Sequence, residues 1–81
     1  MNTNDKMDEI FREICRLDNV AIVYDEWKPG DIVDWDSMAS LELVQSLENE
    51  FHISIDFEEL LELSDWGKYK ILVNNKIGNA K

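Results

Sequence analysis

Asp34-Trp35-Asp36-Ser37-Met38-Ala39-Ser40-Leu41-Glu42-Leu43 marks the change from an acidic loop to an amphipathic helix. Asp36 and Ser37 both carry short side-chain oxygens that can accept from first-turn amides, so either can open the helix. Beyond them, at about 100° per residue, Ser40, Val44, Leu47 and Phe51 fall on one side with Leu41 and Leu43 on its flanks. That side is expected to be buried. The other side holds Met38, Glu42, Gln45 and Asn49, with Glu48 and Glu50 at its margins. A helix over residues 37–51 follows. A flexible methionine among acids on its outer face suits a surface that docks several partners.

Downstream, His52-Ile53-Ser54-Ile55 reads as a connection, with His52 a surface loop residue. Asp56 and Glu59 have the spacing of a capping box and open a short third helix whose Leu60, Leu61 and Leu63 can fill the core. Ser64 or Asp65 then caps a fourth helix with an apolar side of Trp66, Tyr69, Ile71, Leu72, Val73 and Ile77. Lys76 stands in its last turn, Gly78 suits the position just past its end, and 79–81 should fray.

Upstream, Met7, Ile10, Phe11, Ile14 and Leu17 recur at the spacing of one helix face, placing a first helix over about Asp5–Leu17 with Asn4 or Thr3 as its cap. Cys15 sits on the flank of that face as a small, partly buried residue. Val20-Ala21-Ile22-Val23-Tyr24 has the β-branched composition of a strand but no second strand to pair with, so 18–36 is read as a packed loop. Lys28-Pro29-Gly30-Asp31 is a turn within it, the glycine permitting positive φ. Val20, Ile22, Trp27, Ile32 and Val33 are expected to pin the loop to the core. The whole is one domain over 1–81, all-α, with three main helices, a short third helix and a long first loop.

Charge narrows the partners. No Lys or Arg stands between Lys28 and Lys68, a stretch holding 11 acids, while the rest of the chain has 7 acids against 8 bases. Phosphate backbones demand cations, which argues against nucleic acid; basic protein surfaces are the natural counterpart. The opening residues lack the apolar run of a signal peptide, and no stretch approaches the ~20 apolar residues of a membrane span. One cysteine and one histidine build neither a disulfide nor a zinc site. A soluble, monomeric, cytoplasmic protein is expected.

Catalysis by this chain alone finds little support. No base lies near Ser37 in sequence, and neither a G-x-S-x-G elbow nor a glycine-rich phosphate loop is present. An EF-hand frame beginning at Asp31 matches only its first and last ligands, so no metal site is assigned. Capping explains a serine at position 37, but not an Asp-Ser pair followed by an apolar residue and an acidic outer face. A serine at a helix N-terminus is, however, also well placed to carry an added phosphate, because free amides and the helix dipole favour negative charge there.

The run Asp36-Ser37-Met38-Ala39-Ser40-Leu41-Glu42-Leu43-Val44-Gln45-Ser46-Leu47-Glu48-Asn49-Glu50-Phe51 resembles the Asp-Ser-Leu motif and second helix of acyl carrier proteins, and the resemblance extends through Ile53-Ser54-Ile55 and the acidic third helix. It implies a four-helix bundle of acyl-carrier type and a covalent 4′-phosphopantetheine on Ser37, added from coenzyme A by a phosphopantetheinyl transferase. It further implies that Asp36 orients the serine in that transferase, and that acyl or aminoacyl groups ride on the arm as thioesters. Met38, Glu42, Gln45 and Glu48 would meet partner enzymes: the transferase, an acyl- or aminoacyl-loading ligase, and a downstream acyltransferase or synthase with a basic docking surface. Such a chain is a non-catalytic carrier. Asp34-Trp35 before the motif and Ala39 after it depart from fatty-acid carriers and point to a specialised biosynthetic pathway. The rival reading is an acidic helical adaptor without a prosthetic group, in which Ser37 is only a cap. Whether cargo enters a cavity between the second, third and fourth helices is a matter of packing.

Overall fold

The computed structural model describes residues 2–79 and contains four helices, α1 (Thr3–Ile14), α2 (Ser37–Phe51), α3 (Phe57–Leu61) and α4 (Trp66–Asn79), with no strand among the described residues. The expectations for residues 80 and 81 lie outside that range. α1 packs on α2, and α4 closes against both.

Each helix end has a local cause. Asn2, not Asn4 or Thr3, caps α1, its side-chain oxygen accepting from the Asp5 amide at 2.8 Å. The helix stops at Ile14, earlier than the apolar spacing suggests, because Arg16 takes φ 58° and turns the chain. Asp36 caps α2 by accepting from the Ala39 amide at 2.9 Å. His52, in the left-handed region at φ 54°, ends α2 and so acts as a helix stop. The capping box of Asp56 and Glu59 is present at α3, and Asp65 Oδ1 accepts from the Lys68 amide at 2.9 Å at the start of α4. Gly78 lies inside α4, which runs on to Asn79.

The core is strongly aromatic. Met7, Ile10, Phe11 and Cys15 meet Ala39, Leu43, Val44 and Leu47 across the α1–α2 contact, and Trp66, Tyr69 and Val73 close it from α4. Trp35, the residue before the α2 cap, is 1% exposed. Phe11 holds this centre together, with ring centroids 4.9 Å from Trp35 and 4.6 Å from Trp66. Such a cluster contributes large apolar burial together with edge-to-face contacts. Cys15 is fully buried, more deeply than its flank position suggested.

The long connection is the packed loop expected, but different side chains anchor it. Val23 is buried and Trp27 and Ile32 pack partly on the core, whereas Ile22 is 61% and Val33 97% exposed. Backbone bonds explain the difference: the first amides of α4, at Trp66 and Gly67, donate to the carbonyls of Trp27 (2.9 Å) and Asp25 (2.8 Å). These bonds satisfy helix-end donors that otherwise lack partners, and they fix which loop residues turn inward. A Cβ at Gly67 would lie 3.2 Å from the Asp25 Cβ and 3.3 Å from its carbonyl oxygen, so glycine permits the approach. Gly30 takes φ 102° in the expected turn. Elsewhere, Leu41, Leu61 and Ile71 are exposed although sequence spacing placed them at or toward the core, while Ser40 and Phe51 are half-buried.

Candidate functional site

Ser37 is the first residue of α2 and is exposed. Its neighbours explain why it is held there. On one side Asp36 spends one carboxylate oxygen on the Ala39 amide. On the other, the Trp35 indole N–H donates to Ser40 Oγ at 3.0 Å, tying the loop to the first turn of the helix. Trp35 is itself wedged into the core, so the serine leaves the surface from a backbone fixed on both sides.

The flanking surface divides in two. Toward solvent, Met38 is 67% exposed, and Glu42 and Gln45 follow it at helical spacing on the same exposed stripe. Asp34, Asp36, Met38 and Glu42 border a shallow depression that Arg16 also lines. Glu48 is placed differently: it is half-buried, and its Oε2 accepts from the Ile55 amide at 2.9 Å, bracing the connection to α3. Its charge therefore stands at the edge of that stripe. On α3, Phe57 and Leu61 are exposed as well.

Toward α3 and α4, an open cleft of about 320 Å³ adjoins Ser37, bordered by Ser40, Leu41, Leu60, Leu63 and Tyr69. None of these five reads as a site residue from sequence; the spacing puts Leu41, Leu60 and Leu63 on the core side, and Ser40 and Tyr69 on buried helix faces. The available signals were the position of Ser40 three residues after Ser37 and the helical spacing of Tyr69 from Trp66. A larger open groove of about 430 Å³ runs between α3 and α4 past Glu59, Glu62 and Ile71, but Ser37 does not line it.

The titratable groups whose proton affinity departs from the ordinary value lie in the core or in ion pairs between elements. Burial, with the nearby carboxylates of Asp34 and Asp36 adding to it, pushes the Cys15 thiol up to about 11, so it stays protonated and inert below the start of α2. Burial likewise raises Tyr69. Burial alone would lower Lys70, yet its ammonium is held above the usual lysine range by Asp25 at 2.7 Å and Asp8 at 2.9 Å. Asp8 also accepts from the Trp66 indole at 2.9 Å, so this cluster braces α1, the loop and α4 away from Ser37. The bond to the Asp56 amide, then Lys76, holds Glu59 below the usual carboxylate range. No helix among the described residues is long and apolar enough to cross a membrane.

No protein-family model matches the chain, and no curated protein sequence does. Among solved structures, the solution structure of the holo acyl carrier protein from Geobacter metallireducens is similar to it, with a TM-score of 0.86 and 31% sequence identity, over 99% of this chain and 91% of that one. A likeness spanning nearly the whole of both chains, together with an exposed serine fixed at the head of α2, identifies this chain as a member of the acyl carrier protein family.

Proposed function

We propose that this chain is a single carrier domain over residues 1–81 that holds acyl or aminoacyl groups on a 4′-phosphopantetheine joined to Ser37, in the cytoplasm and in a specialised biosynthetic pathway. The observation that carries the reading is the geometry of Ser37: an exposed hydroxyl at the N-terminus of a 15-residue helix, on a backbone locked by Asp36 and Trp35. That position fits a phosphodiester, since unpaired amides and the helix dipole stabilise its charge. When bound, the group supplies a terminal thiol on which cargo is carried as a thioester.

The residues of this chain then have distinct tasks. Ser37 Oγ bonds to the pantetheine-side phosphorus of coenzyme A, the pyrophosphate bond breaks, the adenosine bisphosphate leaves, and the hydroxyl proton passes to a base of the transferase. Asp36, with one oxygen on the Ala39 amide, presents the other to the transferase and orients the serine. Met38, Glu42 and Gln45 form the surface that partner enzymes meet, with Glu48 at its edge. The absence of Lys and Arg from residues 29–67, with Arg16 alone bordering the depression beside Met38 and Glu42, favours loading ligases, acyltransferases or synthases with basic docking faces. The chain performs no chemistry on its cargo.

Incubation with coenzyme A and a broad-specificity phosphopantetheinyl transferase should raise the intact mass by one phosphopantetheinyl group, and Ser37→Ala should abolish the gain. A wild-type chain left unmodified by a transferase shown to be active on a control carrier would contradict the reading and favour the adaptor alternative.

A further inference from the structure

The cleft beside Ser37 has an apolar rim and a hydroxyl floor. Leu41 from α2, with Leu60 and Leu63 from α3 and the segment after it, forms the rim; Ser40 and Tyr69 form the floor. Ser40 Oγ accepts from the Trp35 indole at 3.0 Å, and the Ser40 and Tyr69 hydroxyls lie within bonding reach of each other, so the pair keeps one O–H to donate into the cleft. The Tyr69 hydroxyl can donate or accept.

Behind the floor the way is shut. The Tyr69 ring lies 5.4 Å from Trp66 and 6.1 Å from Trp35, centroid to centroid, and both indoles rest on Phe11. All four rings are 2% exposed or less. Protein interiors are close-packed, so an alkyl chain could enter only by expelling one of these rings. Moreover, no Asp, Glu, Lys or Arg lines the cleft, so a charged group seated there would lose water without gaining a counter-ion.

Building on the carrier reading above, we propose that this cleft receives the end of a short, uncharged, hydroxyl-bearing acyl group, held by the hydroxyls of Ser40 and Tyr69, and that the aromatic core keeps long alkyl chains outside the bundle. The selection is for polarity and against length. The rim leucines cover the carbon skeleton of a small acyl group, and the floor discriminates a hydroxyl from a methyl of similar size, because a methyl leaves the remaining O–H of the Ser40–Tyr69 pair without a partner.

The test uses the full chain loaded by a transferase from four acyl derivatives of coenzyme A: lactyl, alanyl, isobutyryl and decanoyl. The first three are near-isosteres that differ in one substituent, and intact mass confirms loading before each measurement. Lactyl should shift the amide resonances of Ser40, Leu41, Leu60, Leu63 and Tyr69 more than isobutyryl or alanyl does. Its thioester should hydrolyse about fivefold more slowly on the wild type than on Tyr69→Phe, the occupancy change that one net hydrogen bond supports. Decanoyl should leave the Trp35 and Trp66 indole N–H resonances in place. Displacement of those indoles by decanoyl, or a response to alanyl or isobutyryl as large as that to lactyl, overturns the proposal. A loaded chain whose cleft responds to no cargo overturns it alone, whereas a chain that accepts no arm removes the carrier reading with it.

Discussion

Trp35 stands directly before the attachment motif, and its replacement by Phe separates what the ring does from what the indole N–H does. The substitution keeps an aromatic ring against Phe11 but removes the donor that Ser40 Oγ accepts at 3.0 Å. Loss of that bond costs about 1 kcal/mol net. Trimming the bicyclic ring at a position only 1% exposed adds roughly 1–2 kcal/mol for a partly collapsed cavity. The sum, about 2–3 kcal/mol, is a large share of the stability of so small a domain and should lower the melting temperature by roughly 10–20 °C. Urea titration of the apo chain, followed by circular dichroism, reads the stability change. The transferase rate below the unfolding transition reads whether the head of α2 has loosened, and it should fall with the stability. Trp35→Ala is expected to leave little folded protein. A Trp35→Phe chain within about 0.5 kcal/mol of wild type, the range of ordinary surface changes, would refute the claim that Trp35 anchors the attachment site.

Further outcomes follow from other parts of the molecule. Glu42→Lys should slow modification by a transferase with a basic docking face and weaken the salt dependence of that rate, while moving stability by no more than about 0.5 kcal/mol; an unchanged rate removes Glu42 from the docking surface. Cys15, Tyr69 and Lys70 all bind their protons more tightly folded than unfolded, so stability present at neutral pH should decline as pH rises from 9.0 through about 11. A urea midpoint that holds steady across that window contradicts the burial assigned to these groups. Lys70→Met leaves Asp8 and Asp25 without their shared cation and should cost about 1.5–3 kcal/mol. Because Lys70 is only 12% exposed, that loss should persist in high salt; disappearance of the effect in salt would mean a solvent-screened pair.

α2 was legible in the sequence because each of its signals is local. Asp36 and Ser37 announce the start, the apolar spacing sets the buried side, and the helix spans the expected residues 37–51. The Asp56–Glu59 capping box is equally local, joining residues only three positions apart. The loop before α2 was legible in kind but not in detail. Trp35, Val23 and Val33 are all apolar, and no period says which turns inward; bonds from the Trp66 and Gly67 amides to loop carbonyls decide it, and these join residues some forty positions apart. The end of α4 misled for a related reason: Gly78 stops a helix only when the chain turns there, and here it continues to Asn79. At the site, Ser37 and Asp36 could be named from the motif, while the cleft floor of Ser40 and Tyr69 exists only because α4 packs beside the head of α2.

The most direct test of the central claim is the intact mass of the protein purified from the cells that make it, with fragmentation to locate any added group. The account predicts a mass higher than the polypeptide by one phosphopantetheinyl group, with or without cargo, and fragments that place it on Ser37. A polypeptide of unmodified mass from cells whose other carriers are modified, or an added group on any residue but Ser37, would contradict it.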